Sequence, residues 1–154
     1  MRSLTSSAGE TEAHGARFAR ARPRSAGLFA ALYLTGDLGA GKTTWARGFL
    51  AACGVTAVVR SPTYPLVELY ETGPVTLVHL DLYRLQDESE LEALGVRDWA
   101  APGYLWLIEW PERGGARLPP ADLAVGFSAG KDAHEITVTA GTALGATWLG
   151  RAGA

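Results

Sequence analysis

The sequence has few of the features that mark a secreted or membrane protein. Cys53 is its only cysteine, so no disulfide can form within the chain. Its longest wholly apolar stretch near a terminus, residues 28–34, is far shorter than the roughly 18–20 residues that cross a membrane. This stretch leads into a glycine-rich loop and not into a cleavage site, unlike a secretory signal. We therefore expect a cytoplasmic protein without a membrane partner.

The sequence also lacks an excess of positive charge. It has 14 Lys and Arg against 16 Asp and Glu, which gives a net charge of -2. A domain that binds nucleic acid unaided usually carries a strongly basic balance or face, so we do not expect the chain to bind tRNA or DNA by itself. Its one basic cluster is more typical of a solvated helix face and the segment after it, and comprises Arg17, Arg20, Arg22 and Arg24.

Helices and strands alternate along the chain, and 154 residues suffice for one hydrophobic core but not for two. Apolar periodicity predicts helices at residues 11–21, 42–52 and 87–94, and strands at residues 28–35, 66–70, 75–80, 104–108, 123–127 and 135–140. Ser7 and Glu10 have the spacing of a capping box before the first helix. We expect one α/β domain over residues 1–154, with its core at about residues 7–140. Its sheet would be mainly parallel and flanked by helices, with extra C-terminal strands.

The segment GDLGAGKTT, residues 36–44, lies between a predicted buried strand and a predicted helix. Gly36, Gly41, Lys42 and Thr43 match the P-loop pattern G-x-x-x-x-G-K-[ST]. In such a loop backbone N–H groups turn toward phosphate oxygens, the lysine reaches the β- and γ-phosphates, and the hydroxyl binds Mg²⁺. The sequence therefore predicts a P-loop NTPase. Its candidate nucleotide-binding residues are Gly36, Asp37, Leu38, Gly39, Ala40, Gly41, Lys42, Thr43 and Thr44.

A P-loop site also needs an acidic residue at a strand end, because Mg²⁺ has to be held against the charge of the phosphates. Asp81 and Glu109 each follow an apolar run. Periodicity does not say which carboxylate holds the metal and which handles the attacking water, since that depends on strand order. His79, two residues before Asp81, is more typical of a partly buried structural histidine than of a metal ligand. Trp110 is equally compatible with stacking on a nucleobase and with filling the core.

Other activities use the same loop, and the sequence separates them only in part. No asparagine occurs in the chain, so the N-K-x-D motif that reads guanine in GTPases is absent, and ATP is the expected nucleotide. A small-molecule kinase would need a lid and an acceptor pocket, for which few residues remain. A nucleotide-sensing module that docks a partner without turnover is a further alternative. The intact set of Lys42, Thr43, Asp81 and Glu109 argues against it.

Five motifs, taken together, resemble one known family. They are GDLGAGKTT (36–44), SPTY (61–64), HLDLYRL (79–85), LGVRDW (94–99) and IEWPE (108–112). From about residue 7 to residue 125 the chain is similar to TsaE, the bacterial ATPase family required for threonylcarbamoylation (t6A) of adenosine 37 in tRNAs that read codons starting with A. The joint occurrence of S-P-T, H-x-D-x-Y-R-L and E-W-P is far more specific than the P-loop alone.

The resemblance implies a role for individual residues around the nucleotide. By similarity, Thr43 and Glu109 coordinate Mg²⁺, and Asp81 is needed for ATP hydrolysis. Thr63, in the S-P-T motif, would be a switch-like element near the γ-phosphate. A basic residue in the late strand region also approaches the nucleotide in relatives, and here Lys131 takes that position.

The resemblance further implies that this ATPase is weak alone and works in a complex. Its partners would be homologues of TsaB and TsaD, of which TsaD transfers the threonylcarbamoyl group to tRNA. Contact with tRNA would then be indirect, which agrees with the mildly acidic net charge. ATP turnover by this subunit would reset the complex.

Overall fold

All predicted strands and helices are present in the computed structural model, which describes residues 1–60 and 66–154. The strands are β1 Arg2–Thr5, β2 Ala30–Gly36, β3 Val67–Thr72, β4 Val75–Asp81, β5 Tyr104–Glu109, β6 Leu123–Ala129 and β7 His134–Ala140. The α-helices are α1 Ala8–Ala21, α2 Lys42–Ala52, α3 Ser89–Ala93 and α4 Ala143–Gly153. Short 3-10 helices cover Val96–Trp99, Pro111–Arg113 and Gly115–Arg117. No helix in the described ranges is both long enough and apolar enough to cross a membrane.

Within the described residues the seven strands form one sheet, in the order β1-β7-β6-β2-β5-β4-β3. The four neighbours β6, β2, β5 and β4 run parallel to one another. Strands β3 and β7 run antiparallel to them, and β1 pairs antiparallel with β7. Most strands therefore share one direction, which confirms the predicted α/β fold with its mainly parallel sheet and extra C-terminal strands.

Hydrophobic cores lie on both faces of the sheet. One face is covered by α1, α2 and α4, and its core includes Trp45, Phe49 and Leu32. The other face is covered by α3 and the neighbouring 3-10 helices, and its core includes Trp106 and Leu91. A central parallel sheet needs cover on both faces, because side chains point alternately to either side of each strand.

Helices α1 and α2 pack against each other through two glycines. A Cβ atom on Gly15 would overlap the carbonyl oxygen of Trp45, and one on Gly48 would overlap the carbonyl oxygen of Glu12. Only glycine lets the two backbones approach this closely. The contact holds the first turn of α1 beside the loop that precedes α2.

Apart from the short 3-10 helices, the elements that the sequence pattern does not predict are β1 and α4, at the ends of the described chain. Strand β1 has only four residues, too few for a clear alternation. Helix α4 contains three glycines, which lower its helix propensity. Tertiary contacts stabilise it, since Trp148 is buried and its Nε1 donates a hydrogen bond to the carbonyl oxygen of Phe18 at 2.8 Å.

The predicted cap of α1 is present in a modified form. The Ser7 hydroxyl accepts a hydrogen bond from the Glu10 amide at 3.1 Å, as expected. The Glu10 carboxylate, however, accepts from the Ser6 amide at 2.7 Å and not from Ser7, one residue earlier than in a capping box. This bond from the Ser6 amide holds the pKa of Glu10 below its usual value.

His14 joins α1 to α2 through a buried hydrogen bond. The Trp45 Nε1–H donates to His14 Nδ1 at 2.9 Å, and His14 Nε2 lies 3.3 Å from the Ser3 hydroxyl oxygen. Burial lowers the pKa of His14 from 6.5 to about 4, and the positive charge of Arg17 adds to the effect. A protonated ring could not accept the bond from Trp45, so the neutral form is the one that fits the fold.

The depressed pKa of His14 predicts a loss of stability in acid. The unfolded chain takes up a proton near pH 6.5 and the folded chain only near pH 4, so the His14 contribution is complete above pH 6.5 and is lost as the pH falls toward 4. Urea unfolding across this range is expected to show a steeper fall in the free energy of unfolding for the wild type than for His14→Gln. Parallel curves for the two proteins would contradict this role of His14.

Candidate functional site

Three strand ends form the floor of the candidate site. The P-loop follows β2, Asp81 is the last residue of β4, and Glu109 is the last residue of β5. Glu109 of β5 has a register partner on each side, Asp81 of β4 on one side and Leu34 of β2 on the other. This strand order places both acidic candidates beside the loop.

The P-loop requires glycine at its two ends. Gly36 and Gly41 have φ angles of 142° and 112°, which side chains rarely adopt. A Cβ atom on Gly36 would also overlap the carbonyl oxygen of Phe127. Helix α2 begins directly after Gly41, without a side-chain cap from the described residues and without an acid in its first turn. Its first-turn N–H groups therefore face a site suited to an anion.

Lys42 lies inside the loop and not on the surface. Its side chain is 4% exposed, and Nζ donates hydrogen bonds to the carbonyl oxygens of Gly36 at 2.5 Å and Asp37 at 2.8 Å. Nζ also lies 4.1 Å from the centre of the Trp110 ring. Burial lowers the pKa of Lys42, and nearby carboxylates, led by Glu109, oppose this shift. The loop therefore holds a cation at its centre.

Glu109 is held on both sides by hydrogen bonds. It is 1% exposed, and its Oε2 accepts from the Thr43 hydroxyl at 2.9 Å. Its Oε1 lies 2.9 Å from Nε2 of His79, which is fully buried. His79 Nδ1 has no hydrogen-bond partner among the described residues, so Nε2 is the nitrogen that donates. The structure thus brings together the two predicted metal ligands, Thr43 and Glu109.

His79 is a site residue whose contact with Glu109 the sequence analysis missed. A lone histidine in a buried strand reads as a core residue, and His79 is indeed completely buried. The feature of the sequence that points to a place in the site is the position of His79 two residues before Asp81, because alternate residues of a strand share a face. Strand order was also needed to place Glu109 beside it.

Asp81 lies beside this group and is 8% exposed. Its Oδ1 accepts a hydrogen bond from the Tyr83 amide at 3.0 Å, which fixes the carboxylate at the point where β4 ends. Asp81 and Glu109 border one cleft of about 440 Å³. The residues that line it are Leu38, Gly39, Gly41, Lys42, Thr43, Thr44, Asp81, Tyr83, Arg84, Glu109 and Trp110.

Trp110 occupies the side of this cleft. It is the one non-glycine residue with a positive φ among the described residues, at 59°. The ring is half-buried, packs on the second core and lies 4.9 Å from the ring of Tyr83. It therefore both contacts the core and borders the cleft.

A second cavity, of about 220 Å³, adjoins the other side of the P-loop. It shares Gly39, Gly41 and Thr44 with the main cleft. Its remaining lining comes from the start of α1 and from β7, and comprises Thr5, Ser6, Ser7, Ala8, Thr11 and His134. His134 Nδ1 donates a hydrogen bond to the carbonyl oxygen of Ala40 at 2.8 Å, so β7 supports the loop directly.

Of the predicted site residues, Lys131 does not line either cavity, and Thr63 is not among the residues that the structure describes. Lys131 is exposed in the turn between β6 and β7 and is not among the described residues that line either cavity. His134, three residues later, lines the second cavity. Lys131, the residue assigned from the late strand region, is thus close in sequence to His134 but does not itself line the second cavity. Thr63 lies within residues 61–65, outside the described residues.

The donor set fits Mg²⁺ bound together with phosphates. In the described parts of the chain, no group of three or more His, Cys, Asp or Glu residues could hold a metal ion unaided. Mg²⁺ usually keeps several waters and binds one or two protein oxygens together with substrate phosphates. The Thr43 hydroxyl and the Glu109 carboxylate, 2.9 Å apart at the foot of the loop, match this pattern.

The contact between His79 and Glu109 leads to a testable prediction for stability. His79→Leu keeps much of the side-chain volume but leaves a buried Glu109 oxygen without its donor, and is expected to lower the free energy of unfolding by about 1–3 kcal/mol. His79→Gln retains an N–H donor and should lose less. Urea denaturation of the three proteins measures the difference. Wild-type stability in His79→Leu would mean that the ring acts through its volume alone.

Comparison with known proteins agrees with the geometry. The family model described as "Threonylcarbamoyl adenosine biosynthesis protein TsaE" matches residues 5–137. A "tRNA threonylcarbamoyladenosine biosynthesis protein TsaE" from Haemophilus influenzae is 48% identical over 114 residues, which cover 74% of this chain and 72% of that protein. The protein of the same name from Bacillus subtilis is 42% identical over 110 residues, or 71% of this chain and 68% of the relative.

A solved structure shares the whole fold. The crystal structure of YdiB from Bacillus subtilis superposes with a TM-score of 0.80 at 29% sequence identity, and the match covers 99% of this chain and 93% of that one. The family match spans most of the chain and includes the P-loop, Asp81 and Glu109. The protein therefore belongs to the TsaE family of threonylcarbamoyl adenosine biosynthesis proteins.

Proposed function

We propose that the protein is a Mg²⁺-dependent ATP hydrolase that supports t6A modification of adenosine 37 in tRNA. The observation that carries the proposal is the convergence of Lys42, Thr43, Asp81 and Glu109 on one cleft at the carboxyl edge of the sheet. Each of these groups has a distinct part in binding or cleaving a triphosphate.

Lys42 and the start of α2 would bind the phosphates. The Lys42 ammonium donates to the carbonyl oxygens of Gly36 and Asp37, and so lies inside the loop. Phosphate oxygens are stronger acceptors for an ammonium group than neutral carbonyls, so the bound tail would draw Nζ toward itself. The N–H groups of the first turn of α2 would add the positive end of the helix dipole.

Thr43 and Glu109 would hold Mg²⁺, which supplies charge neutralisation for the β- and γ-phosphates when it is bound. Asp81 would orient the attacking water, because it lies next to Glu109 and its carboxylate is fixed by the Tyr83 amide. Thr63 remains the proposed switch residue near the γ-phosphate. Trp110, beside Lys42, is proposed to flank the bound nucleotide.

Of the two cavities beside the P-loop, the second is the better candidate for binding the nucleoside end of ATP. It opens on the loop residues Gly39 and Gly41 and is lined by hydroxyl groups and by His134. These groups can donate to and accept from a ribose or an adenine. Lys131 would have to reach this region from an exposed turn, so we assign His134 the closer position.

Homologues of TsaB and TsaD are the proposed partners, in the cytoplasm. Exposed apolar residues at the rim of the cleft support a docking role. Leu38, at the tip of the P-loop, is 72% exposed, and Tyr83 is 39% exposed. A partner that covers these side chains would also close the cleft and exclude water from it, which would couple ATP turnover to the state of the complex.

The proposal is tested by following the label of γ-³²P-ATP incubated with the purified protein, Mg²⁺ and candidate metabolites. Free phosphate is expected as the labelled product, formed slowly by the protein alone and faster when TsaB and TsaD homologues are added. Lys42→Ala should abolish the product and serves as the control for contaminating ATPases. A labelled metabolite would favour a kinase. Bound but uncleaved ATP, even with both partners present, would favour a nucleotide-sensing module.

Substitutions at three site residues should separate binding from hydrolysis. Asp81→Asn should bind ATP nearly as well as the wild type but lower turnover by on the order of 10²- to 10³-fold. Glu109→Gln should raise the Mg²⁺ concentration needed for activity, and Lys42→Ala should weaken ATP binding itself. Calorimetric titration and turnover assays measure the two effects. Asp98→Asn, at an exposed position outside the cleft, is the matched control. Equal loss of ATP binding in all three variants would contradict these separate roles.

A further inference from the structure

A second concave surface lies away from the P-loop, and five of its eight lining residues are arginine. It measures about 500 Å³ and lies between the end of α1, the segment that follows it, and the end of α4. We call it the arginine patch, and its charged residues are Arg17, Arg20, Arg22, Arg24 and Arg151. The sequence analysis found the first four as a cluster. Folding adds Arg151 from the other end of the chain.

No Asp or Glu side chain is among the described residues that line the patch. Residues 13–36 and 136–154 contain the five arginines of the patch but no Asp or Glu. All 16 acidic residues, and the other nine Lys and Arg, are located elsewhere in the chain. None of the five arginines forms an ion pair within the described residues. By contrast, four arginines outside the patch pair with glutamates, namely Arg2, Arg47, Arg97 and Arg117. A chain of net charge -2 therefore carries a strongly basic face.

Capping of the helix end accounts for only part of this cluster. Arg22 donates to the carbonyl oxygen of Ala19 at 2.7 Å, and Arg24 donates to that of Arg20 at 3.3 Å. Each bond uses one of the five N–H groups of a guanidinium. Arg22 Nε is buried without a hydrogen-bond partner among the described residues. The patch thus keeps many donors for an external anion.

The patch and the second cavity beside the P-loop lie at opposite ends of α1. Ser7 and Thr11, at the start of the helix, line the cavity beside the P-loop, whereas Arg20 in its last turn lines the patch. A helix of 14 residues is about 21 Å long. Both sites can therefore be occupied at the same time.

We propose that the arginine patch binds the phosphate backbone of tRNA. Guanidinium groups bind phosphate oxygens in a fork, and several of them around one concavity fit a ligand with regularly repeated negative charge. The family belongs to a tRNA modification pathway, so tRNA is the polyanion at hand. This inference rests on family membership and the patch, not on ATP hydrolysis. It adds a direct, salt-sensitive contact with tRNA to the indirect contact, through partner proteins, that agrees with the net charge.

The test measures binding of unfractionated bacterial tRNA to the purified chain, without nucleotide, by fluorescence anisotropy between about 50 and 200 mM salt. The variant is Arg20→Gln/Arg151→Gln. The control is Arg47→Gln/Arg97→Gln, which removes the same charge from exposed helical positions outside the patch. The patch variant is expected to bind on the order of ten-fold more weakly and to reduce the slope of log K against log salt by about two. The control should bind like the wild type.

Three results would overturn the proposal. They are the absence of wild-type binding at the lowest salt, an equal loss in patch variant and control, and equally good competition by polyglutamate, which would indicate an acidic protein surface as the ligand. ATP hydrolysis by Arg20→Gln/Arg151→Gln is measured in parallel and should be unchanged. Because the two readouts are independent, failure of RNA binding can be told apart from failure of the proposed ATPase activity.

Discussion

The site depends on one buried carboxylate. Glu109 is almost completely removed from water, and a carboxylate in that position is tolerated only when its oxygens are hydrogen-bonded. One oxygen is held by His79 on β4 and the other by Thr43 at the start of α2. The same side chain therefore ties β4, β5 and the P-loop helix together. It also presents an oxygen pair where a hard cation is preferred.

Lys42 shows a related compromise between stability and function. Burial disfavours its charged form, and its neighbours limit that cost, since two loop carbonyls accept its protons and several carboxylates favour the cation. The ammonium group therefore already lies within the loop, where it would meet the negative charge of a ligand. A loop organised in this way loses little conformational freedom when it binds an anion, which favours affinity.

The sequence predicts most of this arrangement, and the failures have physical causes. Long periodic segments such as α2 and β5 are recovered closely, whereas β1 and α4 depend on tertiary contacts that a local pattern does not contain. The P-loop is evident from spacing. The proximity of His79 to Glu109 is not, because it follows from pairing between strands that are distant in sequence. Lys131 was assigned from the family resemblance and not from a local pattern, and it stays a prediction, since it lines neither of the two cavities described.

Net charge does not reveal a local concentration of one sign of charge, because it averages over the whole chain. Residues 13–36 and 136–154 are far apart in the chain; the first segment contains the basic cluster of four arginines and the second adds Arg151. They become neighbours when α4 packs on α1 through the bond from Trp148 to Phe18. The acidic residues are left on the rest of the molecule, and two of them border the nucleotide cleft. A mildly acidic chain can therefore have two buried carboxylates beside its P-loop and a strongly basic face at the end of α1.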